Sequence, residues 1–375
     1  MATPFRVIDT GLRDGRANIA FDQALIEARR ERLIGDTIRF LRFRPTALIG
    51  RHQALGREID LDYCRHNGIG VARRITGGGA IYFDERQLGW ELVFDRRTLA
   101  LGDLSATAAQ LCEAAAEGLR RLGVDARFRP RNDIEVEGRK LCGTGGLFDG
   151  DVLFYQGTLL IDIDSAAMVA ALRIPQAKLA KRGLDSAAQR VVTLKALLGE
   201  RLPTLVEIQE ALLAGFANRL GIAPSWDAVS EKEEALARRL HAEEIGTDEF
   251  VAEIDAAPDD PDAMRATLAT SGGTVTVFVR LEGAARDRVR DVLITGDFFI
   301  APPRVVYDLE ASLRGLRVTA MGAAVDSFFD RTCIDALTLT PGDFRAALEA
   351  AIRAGSGTGG ATGVHGPAEG VPAGR

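Results

Sequence analysis

Two glycine-rich segments about sixty residues apart, RRITGGGAIYFD at 73–84 and NDIEVEGRKLCGTGG at 132–146, constrain this chain most. Both interrupt short β-like runs, and a backbone so often stripped of Cβ atoms suits hairpins and tight turns. The surrounding pattern agrees. Phe5–Asp9, Thr46–Gly50, Ile69–Arg73, Ala80–Phe83, Gly89–Phe94, Ala126–Phe128, Ile134–Glu137, Lys140–Gly143 and Val152–Ile163 read as strands, several of them consecutive. Helical periodicity is confined here to Asn18–Arg32 and to Leu104–Leu122, behind the N-cap residue Asp103. Strands that do not alternate regularly with helices predict an α+β fold, with mixed or antiparallel sheets and flanking helices, rather than a doubly wound one.

Residues 164–255 turn mostly helical, most clearly at Thr204–Leu220 and Ser230–His241. The acidic, proline-containing run AAPDDPD at 256–262 then marks a boundary. The expected organisation is a large domain over 1–255, a linker over 256–265 and a small α+β domain over 266–353. The small domain should hold strands at Thr274–Leu281 and Val289–Thr295 and helices at Tyr307–Arg314 and Pro341–Ile352. The tail at 354–375 is Gly, Ser, Thr, Ala and Pro in the main and is expected to be disordered, because it has too little apolar surface to offset ordering entropy.

With 375 residues and 46% hydrophobic content the chain can bury cores for two domains. A net charge of -6 argues against a nucleic-acid partner, which requires a basic face. Cys64, Cys112, Cys142 and Cys333 show neither zinc-site nor disulfide-framework spacing, and no run approaches the ~20 apolar residues of a membrane helix. These features, with an N-terminus that lacks a signal-peptide stretch, lead to the expectation of a cytoplasmic protein without membrane partners. Basic charge is almost all arginine. Lys140, Lys178, Lys181, Lys195 and Lys232 are the only lysines, which gives Lys140 weight inside the second glycine segment.

Gly77, Gly78 and Gly79 let main-chain N–H groups approach a phosphate or an acyl chain closely. Arg73 and Arg74 offer forked donors to such an anion; strand alternation forbids both from pointing inward, and Arg74, nearer the glycines, is taken as the ligand-facing one. Lys140 runs into the bare backbone of CGTGG, where an amine can stabilise charge developing on an acyl carbonyl. Asp133, at the opening of the same hairpin, can orient that amine or help hold a magnesium ion. Each piece also has a plainer reading: a glycine hairpin with solvated arginines, and an exposed strand lysine. Trp90 reads as a core residue on a strand, and His52 as a turn residue.

The segments 73–84, 132–145 and YQGTLL at 155–160 resemble, in order and spacing, the catalytic motifs of lipoate-protein ligases, within the biotin/lipoate ligase superfamily. VIDT at 7–10, NIAFD at 18–22 and LIGRHQ at 48–53 extend the resemblance over roughly residues 5–255. VRLEG at 279–283 with ITGDFF at 294–299 resembles the small accessory domain of these ligases. The resemblance implies an ATP-dependent enzyme that activates lipoate to lipoyl-AMP, with magnesium, and transfers the lipoyl group to a lysine of a carrier. The carrier would be a glycine-cleavage H protein, a dehydrogenase E2 lipoyl domain or a related lipoate-binding protein.

By position the resemblance assigns Lys140 as the catalytic residue. ATP and adenylate contacts fall on Arg74, Gly77, Gly78, Gly79, Ala80, Ile81, Tyr82, Asn132, Asp133, Lys140, Thr144, Gly157 and Thr158, with Asp133 also near the metal. The resemblance also implies that Lys178 and Lys181 lie on the loop that covers the adenylate, the plainer reading being a solvated charged loop, and that His52 lies near the lipoate tunnel. Three positions depart from the family pattern: Phe83 and Gln156 stand where histidines are usual, and Gly145 where alanine is common. Octanoyltransferases and lipoyl amidotransferases of the same fold are the enzymatic alternative, but they carry acyl groups on a cysteine. This chain has Leu153 or Arg129-Pro130-Arg131 at the two positions where that cysteine falls. Cys142 remains as a thiol near Lys140, though a buried strand cysteine more often serves as a small hydrophobe. A non-catalytic protein that binds a lipoylated carrier is the alternative from a different class; the joint presence of Arg74, Asp133 and Lys140 counts against it.

Overall fold

The computed structural model describes residues 2–130, 132–173, 190–254, 263–270, 272–336 and 339–356. The chain divides into two compact units, the larger comprising Met1–Pro258, Asp297–Val305 and Ile334–Thr338, and the smaller Asp259–Gly296, Val306–Cys333 and Leu339–Arg375. Asp297–Val305, which the sequence places inside the small domain, therefore belongs with the larger unit. Lys178 and Lys181, most of the expected linker and most of the tail lie outside the described residues.

The larger unit holds β1 (Thr3–Arg13), β2 (Thr37–Phe43), β3 (Thr46–Ile49), β4 (Gly70–Arg73), β5 (Ile81–Phe83), β6 (Gln87–Asp95), β7 (Arg127–Arg129), β8 (Asp133–Val136), β9 (Arg139–Asp149), β10 (Val152–Leu160) and β11 (Ile222–Trp226). Eight of these form one sheet in the order β11-β1-β2-β6-β10-β9-β8-β7, and β4-β3-β5 form a second. The large sheet is mixed. β1 runs parallel to both β2 and β11, whereas β2, β6, β10, β9, β8 and β7 are successively antiparallel. The parallel β1/β2 pair requires a crossover, which the helix Gly15–Arg30 supplies. Asp14 starts that helix by accepting from the Arg16 and Ala17 N–H groups.

Side chains alternate along the central strands, so the sheet buries two separate cores. Phe40, Leu88, Trp90, Leu92, Cys142 and Tyr155 project to the face covered by the helices Leu104–Arg121 and Leu205–Leu220. Leu41, Phe43, Val93, Leu147 and Phe154 project to the other, where Ile19 and Phe21 of the crossover helix meet them. Trp90 is core on a strand, as its sequence context indicates. β2 escapes a pattern reading because it is buried on both faces, so its arginine at 39 looks like a solvent position and is not. β11 is a short edge strand interrupted by Pro224, which weakens its signal in the same way.

The smaller unit contains an antiparallel sheet β12-β13-β14, made of Met264–Thr270, Gly273–Glu282 and Arg288–Gly296. The helices Met321–Arg331 and Pro341–Ser356 belong to it. The strands Thr274–Leu281 and Val289–Thr295 are found nearly where the alternation puts them; β12 and the helix Met321–Arg331 are additions. That helix begins at Ala320, which cannot cap it with a side chain, so the sequence carries no start signal. Glu310 is buried, accepts from the Ile294 N–H at 2.6 Å, and has its carboxyl pushed up to about 7 by burial.

Candidate active site

The first wall of the site is the loop between β4 and β5. β3 and β4 are parallel, so the turn after β3 and the glycine loop after β4 emerge side by side. The Arg51 N–H donates to Thr76 O at 2.9 Å, and the Arg74 N–H donates to Ile49 O at 2.9 Å. Gly50 has to be glycine, because a Cβ there would stand 1.9 Å from Gly78 O.

Both arginines turn inward. Arg73 spends its guanidinium on carbonyls, including Gln53 O at 2.7 Å and Val251 O at 2.8 Å, and so ties the 50–53 turn to the 250–254 segment. Arg74 donates to Leu48 O at 3.3 Å, Gly77 O at 3.1 Å and Gly79 O at 2.7 Å, and burial lowers it to about 10. The alternation rule that would send one arginine outward does not apply, because β4 ends at Arg73 and Arg74 already belongs to the loop. Arg74 thus shapes the glycine loop from within.

The second wall is one face of the large sheet, and glycine clears it. Thr158 pairs with Gly89 and Gly143, and Gln156 pairs with Glu91 and Gly145, so these residues share a face. A bulge then sets Lys140. Ile134 opposes Cys142 but Glu135 opposes Lys140, which leaves Leu141 as the extra residue. Leu141 and Cys142 therefore both enter the core, while Lys140 turns to the glycine face, where a Cβ on Gly143 would lie 2.6 Å from its Nζ. The hairpin closes through Glu137 and Gly138, both with positive φ, as a two-residue turn of this twist requires. Lys140 Nζ lies 2.8 Å from Asp133 Oδ1, and the lysine side chain is 39% exposed.

Behind this wall the polar groups are spent on structure. Thr144 Oγ1 donates to Asn132 O at 2.8 Å and lies 2.6 Å from the Tyr155 hydroxyl, while Asn132 Nδ2 donates to Thr144 O at 2.6 Å. Cys112 Sγ joins them, 3.2 Å from Thr144 Oγ1. Cys142 is fully buried, and burial pushes its thiol far above the ordinary range, so it is a core residue here.

The two walls meet. Gln156 Nε2 donates to Thr76 Oγ1 at 2.9 Å, and a cavity of about 20 Å³ lies between Arg74, Ile81, Phe83, Glu91, Gln156 and Thr158. A family model described as the lipoyl protein ligase A/B catalytic domain matches residues 14–217. The chain belongs to that family.

Among curated relatives, lipoate-protein ligase A subunit 1 of Thermoplasma acidophilum is 30% identical over 63% of this chain and 91% of its own length. Octanoyltransferase LipM of Symbiobacterium thermophilum is 30% identical over 67% of this chain and 98% of its own. Among solved structures, the bipartite lipoate protein ligase of T. acidophilum, studied with its E2 lipoyl domain, superposes with a TM-score of 0.60 at 28% identity, over 68% of this chain and all of that one. A lipoate-protein ligase A bound with ATP gives 0.58 at 28% identity, over the same shares. LipL1 of P. falciparum, in complex with lipoate, is 14% identical but shares the fold over 88% of this chain and 95% of its own, with a TM-score of 0.66. The chain is thus an enzyme of the lipoate ligase and octanoyltransferase family, with the mixed sheets and flanking helices of lipoate ligase structures.

Within this family member the residues singled out from sequence fall into three groups. Gly77, Gly78, Gly79 and Ile81 on one wall, and Lys140, Asp133 and Thr158 on the other, border the glycine-lined space or the cavity. Arg74, Asn132 and Thr144 brace those walls through the bonds described above. Tyr82 and Ala80 face elsewhere, Tyr82 packing with Ile49, Ile59 and Cys64 and Ala80 joining the same cluster, while Gly157 lines the cavity with its main chain, since a Cβ there would run into the Trp90 ring. Their main chain is what these three can offer. His52 is a buried turn residue whose ring stacks on Phe298 at 5.0 Å; burial, then Arg51 and Arg73, lowers it to about 3.

Sequence reasoning missed a buried triad at the cavity. Arg39 donates to Asp22 Oδ1 at 2.6 Å, to Glu91 Oε2 at 3.1 Å and to Asn18 Oδ1 at 2.7 Å. Burial raises both carboxyls, Glu91 most, and the single Arg39 cation serves both acids. The available signal was Arg39 itself, a charge set between Ile38 and Phe40 in the run TIRFLRF. Phe83, where the family pattern has a histidine, packs on Phe43 at 4.3 Å and lines the cavity with carbon.

Proposed function

We propose that this chain is an ATP-dependent lipoate-protein ligase. Lipoate's carboxylate displaces pyrophosphate from the α-phosphate of ATP to give lipoyl-AMP. The ε-amine of an acceptor lysine then attacks the acyl carbonyl, forming the amide and releasing AMP. The observation that carries this reading is Lys140, turned by a bulge onto a face floored by Gly143 and Gly145. Its ammonium can stabilise the negative charge that develops on the acyl and phosphate oxygens in both steps without a covalent bond to the enzyme. Gly77–Gly79 supply close main-chain approach for the phosphate, and the cavity beside Phe83 and Ile81 is the start of an acyl channel that must widen to admit a chain. The likeness to a lipoate-protein ligase A bound with ATP supports the nucleotide.

Magnesium would supply counter-charge to the phosphates. Asp133 is the carboxylate that fits it, and since that group already meets Lys140, the ion would take most of its oxygen ligands from the nucleotide and water. The partner proposed is a lipoyl-acceptor carrier, such as an H protein or an E2 lipoyl domain, and the setting is the cytoplasm; no helix among the described residues is long and apolar enough to cross a membrane. The smaller unit, with the 256–265 linker at its entry, is proposed as the accessory domain of such ligases.

The second reading, an octanoyltransferase, is favoured by the match to LipM over nearly its whole length. It needs an accessible thiolate to carry the acyl group. Cys64, Cys112 and Cys142 are buried, and the exposed Cys333 belongs to the smaller unit. Incubation of the protein with an apo lipoyl domain, lipoate and Mg-ATP, read by mass spectrometry, distinguishes the two: the ligase requires ATP, whereas the transferase requires an acyl-carrier thioester.

A further inference from the structure

The glycine cradle already contains a piece of this chain. Phe298 O accepts the Gly78 N–H at 3.1 Å and stands 2.0 Å from where a Cβ on Gly77 would be. The Phe299 ring lies against both walls: a Cβ on Gly78 would stand 2.6 Å from it, and one on Gly145 2.2 Å. Asp297 lies over Gly79, its Cβ 3.6 Å from that glycine's missing one. His52 stacks on Phe298 from the 50–53 turn, and Phe299 is only 9% exposed.

We propose that the turn Asp297–Phe299 is a built-in occupant of the cradle, a strap that must leave before an acyl-adenylate can bind between the walls. This rests on the reading above that these walls hold an adenylate. A main-chain N–H aimed into the cradle serves one acceptor at a time, and Phe298 O holds that of Gly78. The Phe299 ring fills the gap that the glycines at 78 and 145 create, so the space meant for ligand atoms is taken up by carbon. The same contact accounts for Gly145, where the family pattern commonly has alanine: a methyl group there collides with the ring. A ligand whose binding-competent state is only fractionally populated binds more weakly by that fraction. The strap therefore lowers the apparent affinity for adenylate, and removing it should raise that affinity.

Gly145→Ala is the sharpest variant. Gly145 lies in β9 without a positive φ, so alanine causes no backbone strain, and the clash falls on the outer edge of a ring that can swing away. Phe299→Ala removes the ring instead. Calorimetry with a non-hydrolysable acyl-sulfamoyl adenosine made from lipoic acid should show both variants binding about tenfold tighter than the wild type. Equal or weaker binding by the variants overturns the proposal. Hydrogen exchange in the peptide covering residues 74–80 tests the seat without any ligand. The Gly78 amide should be protected in the wild type and should exchange faster in Gly145→Ala; unchanged exchange also overturns the proposal. If the exchange responds as expected but no form binds the adenosine, the strap stands and the adenylate reading falls.

Discussion

Lys140 holds its ammonium 2.8 Å from the Asp133 carboxylate, across a hairpin turned by two residues with positive φ. The contact ties the amine to the glycine face, beside Gly143, and aims it by electrostatics rather than by burial. Asp133→Asn should therefore lower turnover about 10- to 100-fold through misplacement of the lysine. The lysine is more than a third exposed, so the same change should cost no more than about 1 kcal/mol of stability. Steady-state kinetics set beside a urea melt separate the two effects.

Arg39 sits fully buried between Asp22 and Glu91. Arg39→Met removes the cation and leaves two acids without their shared donor, which should destabilise the protein by about 3–5 kcal/mol. Denaturant unfolding checks it. Arg39→Met/Glu91→Gln should recover part of the loss, because it removes the acid that burial raises most.

Glu310 gives stability a pH dependence. Its carboxyl is at about 7 in the folded protein against an ordinary 4.5, so between those values the folded state holds a proton that the unfolded chain gives up. Stability from this group is complete below pH 4.5, falls as pH rises towards 7 and is flat above it. The span is on the order of 3 kcal/mol. Glu310→Gln should flatten this part of a profile of unfolding free energy against pH.

Cys142 lies two residues from Lys140, yet Cys142→Ala should leave turnover intact, since Leu141 as the bulge sends the thiol into the core. Acyl-enzyme trapping by mass spectrometry should likewise find no thioester on this cysteine.

The hairpins around the two glycine segments are legible in sequence because glycine and alternation act locally. Lys140, Gly77–Gly79 and Asp133 stand out for the same reason, and Trp90 reads correctly as core. What escapes is set by tertiary contacts. β2 hides because both of its faces are buried, the helix Met321–Arg331 hides because it lacks a side-chain cap, and the inward turn of both arginines follows from β4 ending one residue earlier than simple alternation assumes. Gln156 is visible only as a departure from a pattern; its bond to Thr76, which joins the walls, spans eighty residues of chain. Phe299 is likewise plain in the sequence, but its seat between Gly78 and Gly145 is not.

ATP-dependent lipoylation centred on Lys140 is decided by following lipoate and an apo lipoyl domain by mass spectrometry, with and without Mg-ATP, for the wild type and Lys140→Ala. The expected result is a lipoylated acceptor lysine only when ATP is present, pyrophosphate release in step with it, and a loss of about 10²–10³-fold in Lys140→Ala. Acyl transfer from an octanoyl-carrier thioester without ATP, or full activity in Lys140→Ala, would contradict it.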